Sequence, residues 1–74
     1  MPKLRLLSGR NLCKILAQHG FEKVRQKGSH IIMQKQQGAT TITIPVPDHD
    51  ELKIGTLLGI IRQSELPRSL FEMN

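Results

Sequence analysis

Tryptophan and tyrosine are absent from this chain, and Phe21 and Phe71 are its only aromatic residues. A sheet that stacks nucleobases on a platform of aromatic side chains is therefore not expected. One cysteine, Cys13, allows no internal disulfide framework, and such usage fits a reducing cytoplasm. One cysteine and three scattered histidines, His19, His30 and His49, do not make the Cys/His cluster of a structural zinc site. No apolar run approaches the roughly 18 residues that span a membrane. The opening MPKLRLLSGR has no apolar stretch of export-signal length. A cytoplasmic location with no membrane partner is expected. No phosphate-cradling loop, paired-carboxylate motif or metal-ligand spacing occurs, so neither a metal nor a cofactor is expected.

What is present is small and basic. The 74 residues form one domain, 1–74. A chain this short buries only about 60% of the surface that its unfolded form exposes, so any site lies on the surface or in a shallow groove. Eleven Lys and Arg against six Asp and Glu leave a net charge of +5, with a pI near 10.0. On so small a body this favours a polyanionic partner, above all nucleic acid. With so few aromatics, RNA would be held by charge, backbone contacts and hydrogen bonds.

The order of elements can be read along the chain. Ser8 is an N-cap, and Leu12, Ile15, Leu16 and His19 follow helical spacing until Gly20. This predicts a helix over about residues 9–19. Phe21 to Gln26 alternates as a strand and ends at the turn chemistry of Lys27-Gly28-Ser29. His30 to Lys35 reads as a second strand, and Gln36-Gln37-Gly38-Ala39 as a hairpin turn. The β-branched Thr40 to Ile44 is a third strand, expected to stop at Pro45-Val46-Pro47. Asp48, Asp50 and Glu51 precede a second helical pattern, where the helix dipole favours acidic groups. Ile54, Leu57, Leu58 and Ile61 mark that helix's apolar face. Gly55 and Gly59 weaken it by roughly 1 kcal/mol each, a cost that close packing on the sheet would offset. Pro67 starts a short last helix over about 67–72. The fold class is α+β, in the order α-β-β-β-α. Both helices are expected on one face of a three-stranded antiparallel sheet, with the other face open.

Strand alternation then sorts the side chains. With Val24, Ile31, Met33, Ile42 and Ile44 toward the core, the open face gathers Lys23, Arg25, Lys27, His30, Thr41 and Thr43. Such a surface is basic and rich in hydrogen-bonding groups, with one imidazole. Its ordinary alternative is a merely solvated strand face. His19, in the last turn of the first helix, fits a cation at a helix C-terminus. Cys13 has no cationic partner in view and reads as a packed small residue.

Several segments resemble the HicA family of toxins. They are Leu7-Ser8-Gly9, His19-Gly20-Phe21, Gln26-Lys27-Gly28-Ser29-His30, Thr43-Ile44-Pro45-Val46-Pro47, Gly55-Thr56-Leu57 and Ile60-Ile61. The resemblance covers nearly the whole chain, and the Gly28-Ser29-His30 step is its most telling part. It implies a double-stranded-RNA-binding-like fold and a metal-independent endoribonuclease that cleaves mRNA. It also implies a HicB-like antitoxin partner, expected to silence the toxin by covering the His30 face. The family's essential histidine matches His30, and His49 receives no role.

Chemistry fits that expectation. An imidazole titrates near working pH and can take the 2′-OH proton or protonate the 5′-oxygen. Lys23, Arg25 and Lys27 would hold RNA, Lys27 and Arg25 stabilising charge on the scissile phosphate. Ser29 and the backbone at Gly28 would position it. The alternative is a non-catalytic RNA-binding module of the same fold. Against it, the second helix begins with a single basic residue, Lys53, where double-stranded-RNA binders gather several.

Overall fold

A computed structural model describes residues 3–72. It contains helix α1 (Gly9–Gln18), strands β1 (Glu22–Lys27), β2 (His30–Gln37) and β3 (Thr40–Pro47), helix α2 (Ile54–Ser64) and a 3₁₀ turn (Arg68–Phe71). The strands form one antiparallel sheet in the order β1-β2-β3. This is the α-β-β-β-α order of a double-stranded-RNA-binding-like fold.

Helix α1 starts where its cap demands. The Ser8 Oγ accepts from the Asn11 N–H at 3.1 Å, which satisfies one of the helix's unpaired donors. Leu12, Ile15 and Leu16 form its buried stripe. Both hairpins use two-residue loops, Gly28-Ser29 and Gly38-Ala39, between the pairs Lys27–His30 and Gln37–Thr40.

Both helices cover the same face of the sheet. Ile31, Met33, Ile44 and Val46 point into it and are buried with Leu12, Leu16, Leu57, Ile60 and Ile61. Phe21 and Phe71 close the ends of this core at 2% and 0% exposure. The chain before α1 runs beside its far end, with Leu4 bridged to Glu72 and the Arg5 N–H donating to the Phe71 carbonyl at 2.8 Å.

Several local expectations are corrected. Strand β3 does not stop at Pro45 but continues to Pro47. It is an edge strand, where proline is tolerated at positions whose N–H would face away from the ladder. Pro45 and Pro47 share that parity, and they blunt the edge against further pairing. Asp48, Asp50 and Glu51 precede α2 as expected, but they lie before its N-cap, Lys53, and none falls in its first turn. Ile54, at its first position, is 50% exposed. A Cβ at Gly55 or Gly59 would meet nothing within 4 Å, so neither glycine mediates close packing on the sheet. The last element is a four-residue 3₁₀ turn rather than a helix over 67–72.

Gly9 marks the closest backbone approach among the glycines. A Cβ there would overlap the Pro47 carbonyl oxygen, so only glycine lets α1 begin against the end of β3. The Gly9 N–H uses that closeness, donating to the His49 carbonyl at 2.9 Å.

Candidate functional site

The open face is built in rows by the strand register. Lys27, His30 and Pro47 stand side by side across the three strands. The next row is Arg25, Ile32 and Pro45, and the next is Glu22, Gln34 and Thr43. Side chains of directly opposed residues share a face, so Arg25, Lys27 and His30 come together as expected. Arg25, Lys27, His30, Ile32, Thr43 and Pro45 line a shallow groove of about 500 Å³. His30 is exposed in it, at the first position after the Gly28-Ser29 turn.

That turn is shaped by Gly28, whose φ is +60°. A two-residue hairpin loop of type II′ needs positive φ at its first central residue, and glycine adopts it without steric cost. The Ser29 carbonyl accepts from the Asp48 N–H at 2.7 Å. Gln26 Nε2 donates to the Gly28 carbonyl and to Asp48 Oδ2, both at 3.4 Å. Asp48 Oδ1 also pairs with Arg10 Nε at 3.4 Å. The turn that carries His30 is therefore tied to β1, to the loop after β3 and to α1.

Lys23 does not belong to this face. A β-bulge between Lys23 and Arg25 makes Val24 an extra residue in β1. Lys23 stands opposite Met33 and so lies on the helix side, where its Nζ donates to Gln26 Oε1 at 3.4 Å. There it lines a second depression with Arg10, Cys13, Gln26, Ile31 and Asp48. Val24, expected in the core, is 46% exposed. The bulge reverses the alternation across one residue. It therefore turns Lys23 and Val24 to the faces opposite those expected, and leaves Arg25 and Lys27 beside His30.

The remaining candidates fall outside the groove. His19 is the C-cap of α1. His49 is exposed in the loop after β3 and is fixed by its carbonyl. Burial pushes the Cys13 thiol up, Lys23 nearby draws it down and Asp48 raises it further, so a thiolate is not favoured. Ser29 is exposed in the turn, where its carbonyl is held by the Asp48 N–H. Sequence reading missed Arg10, Gln26 and Asp48 as supports of the turn, since their contacts join distant segments. It also left Ile32 and Pro45 out of the groove, although alternation from His30 already placed Ile32 on the open face.

Chemically, the groove offers one imidazole, two cations and the Thr43 hydroxyl, with no carboxylate among its lining residues. Among the described residues, no three His, Cys, Asp or Glu side chains are placed to hold a metal ion, and no helix is long and apolar enough to cross a membrane.

The chain is thus a basic α+β domain with both helices behind the sheet and a histidine in an exposed groove lined by two cations. A family profile described as HicA toxin of bacterial toxin-antitoxin matches residues 9–66. The chain belongs to that family, and its role is that of the toxin in a toxin–antitoxin pair. No curated protein and no solved structure matches the chain.

Proposed function

We propose that this toxin is a metal-independent endoribonuclease that cleaves mRNA in the groove around His30. The observation that carries the reading is the row Lys27–His30 beside Arg25 on the uncovered face of the sheet. Cations there meet the phosphate, and the imidazole acts on the sugar hydroxyl. His30 takes the proton from the 2′-OH. The 2′-oxygen then bonds to phosphorus as the bond from phosphorus to the 5′-oxygen breaks. The leaving 5′-oxygen takes a proton from water, and the products are a 2′,3′-cyclic phosphate and a 5′-hydroxyl. Arg25 and Lys27 stabilise the charge that grows on the nonbridging oxygens. Proton transfer by one positioned group contributes roughly 10²–10⁴-fold. With one such group in the groove, a modest rate fits.

Ser29 and the Gly28 backbone flank the phosphate in this reading. Lys23, on the helix side, has no part in it. The antitoxin, a HicB-like protein, silences the toxin by covering the His30 face. A stable complex buries roughly 600–1,000 Å² of each partner, against a total surface of 5101 Å² here. A patch of that size centred on His30 leaves no room for RNA in the groove, so inhibition competes with substrate. Hydrogen-exchange protection in the complex is expected across residues 23–34. Protection confined to α1 or the 3₁₀ turn would contradict competition.

The test of the activity is direct. Purified protein is incubated with labelled single-stranded mRNA in EDTA and the RNA is run on a gel. Cleavage is expected. A shifted band without cleavage would point instead to a non-catalytic RNA-binding module. Neither would leave a protein that uses its basic face for an acidic partner.

A further inference from the structure

The open face has two ends of different character. Around the Gly28-Ser29 turn stand Arg25, Lys27 and His30. At the other end, Glu22, Gln34, Gln36 and Thr41 line a second depression of about 330 Å³, walled by Gly20 and Val24. Glu22 is the one carboxylate among the residues that line the two depressions. A phosphodiester backbone is drawn to the cationic end and repelled by the carboxylate. A nucleobase carries no charge, and its edge presents donors and acceptors.

The chemistry of the far end suits such an edge. An ionised carboxylate only accepts hydrogen bonds, while glutamine amides both donate and accept. Gln34 Nε2 already donates to Thr43 Oγ1 at 3.3 Å. That bond steadies the amide and leaves its oxygen and second N–H for a ligand. The β-bulge brings Val24 to this end, 46% exposed, as an apolar surface for the flat of a base. His30 and Gln34 are four positions apart on β2, about 13 Å at the rise of a strand. A base held here neighbours the cleaved bond without flanking it directly.

We infer that this depression is a nucleobase subsite that selects guanine in single-stranded RNA whose backbone lies on the cationic end. The inference rests on the RNA reading of the groove given above. Guanine offers two adjacent N–H donors to the Glu22 carboxylate. Uracil offers one N–H between two carbonyls, and those carbonyls would face the carboxylate. A well-formed paired contact to a base edge discriminates by roughly tenfold or more.

A randomised single-stranded RNA pool cut by the full chain in EDTA, with the ends sequenced, tests this. Guanine is expected to be enriched about tenfold at one position near the cut, falling below about threefold in Glu22→Gln. Cleavage without base enrichment at any neighbouring position overturns the subsite and leaves the nuclease reading standing. So does enrichment that Glu22→Gln leaves unchanged. If the wild-type chain cuts nothing, the nuclease reading fails separately, and RNA retained from the same pool on the immobilised chain decides the subsite. Guanine enrichment that Glu22→Gln removes upholds it. Retained RNA without that enrichment, or none retained, overturns it.

Discussion

The two faces of this sheet are made by the same three strands, yet they do different work. On the helix side Ile31, Met33, Ile44 and Val46 are between 0% and 5% exposed. On the other side Arg25, Lys27, His30, Thr43 and Pro45 stand in water. Neighbours along one strand thus belong to separate physical problems. Ile44 and Val46 hold the fold through burial, while Thr43 and Pro45 shape a groove. A domain of this size has one core layer, so a ligand site on the free face interferes little with stability. The difference teaches that substitutions on the two faces can be read independently.

The largest test of that comparison is within β3. Ile44→Ala removes a fully buried side chain and is expected to cost about 2–5 kcal/mol. At roughly 4–8 °C per kcal/mol for a domain of this size, the melting temperature should fall by about 10 °C or more. Thr43→Ala, one residue away, should change stability by no more than about 0.5 kcal/mol. Thermal unfolding followed by circular dichroism measures both. Equal losses would show that the open face also carries packing.

A smaller loss is expected where α1 meets the end of β3. Gly9→Ala drives a methyl group into the Pro47 carbonyl oxygen. The helix start must shift, at about 1–3 kcal/mol as for other overpacked sites. Urea unfolding gives the value, and a neutral result would mean that this junction yields freely.

On the open face the expected effect is on binding. Replacing Arg25 and Lys27 together by Gln should weaken RNA binding and make its salt dependence shallower, by about 0.7 in log–log slope for each phosphate no longer neutralised. Replacing Lys23 alone should leave the slope unchanged, because it lies across the sheet. A slope that responds to Lys23 and not to the pair would move the RNA to the α1 side.

The smallest effect concerns Val24. Uninterrupted alternation makes it a core residue, whose replacement by a polar residue would be costly. The bulge exposes it, so Val24→Thr should shift stability by no more than about 0.5 kcal/mol.

That residue also shows where the sequence stops being informative. Helix α1 is legible because both its ends are chemically marked, by the Ser8 hydroxyl and by Gly20. The hairpins are legible from Gly28 and Gly38. The bulge is not, since nothing in Glu22-Lys23-Val24-Arg25-Gln26-Lys27 distinguishes a regular strand from one with an extra residue. It shows only in the pairing with β2, where Lys23 stands opposite Met33 and Arg25 opposite Ile32, with Val24 left over. The prolines of β3 misled for a related reason. Proline forbids a ladder bond on one side only, and the sequence alone does not say which side is free. His30 and its two cations were placed correctly on the open face because Arg25 and Lys27 lie beyond the bulge, in phase with the turn. The Asp48 contacts could not be foreseen, because they depend on three segments meeting in space.

The most direct test of the central claim compares His30→Ala with the wild-type chain in two assays, RNA cleavage in EDTA and thermal unfolding. Cleavage should fall by about 10²-fold or more, the contribution of one acid–base group, while the melting temperature moves by no more than a few degrees, as for other exposed side chains. A variant that still cleaves RNA at near the wild-type rate, or one that loses activity only because it unfolds, would contradict the assignment of the open face as the active site.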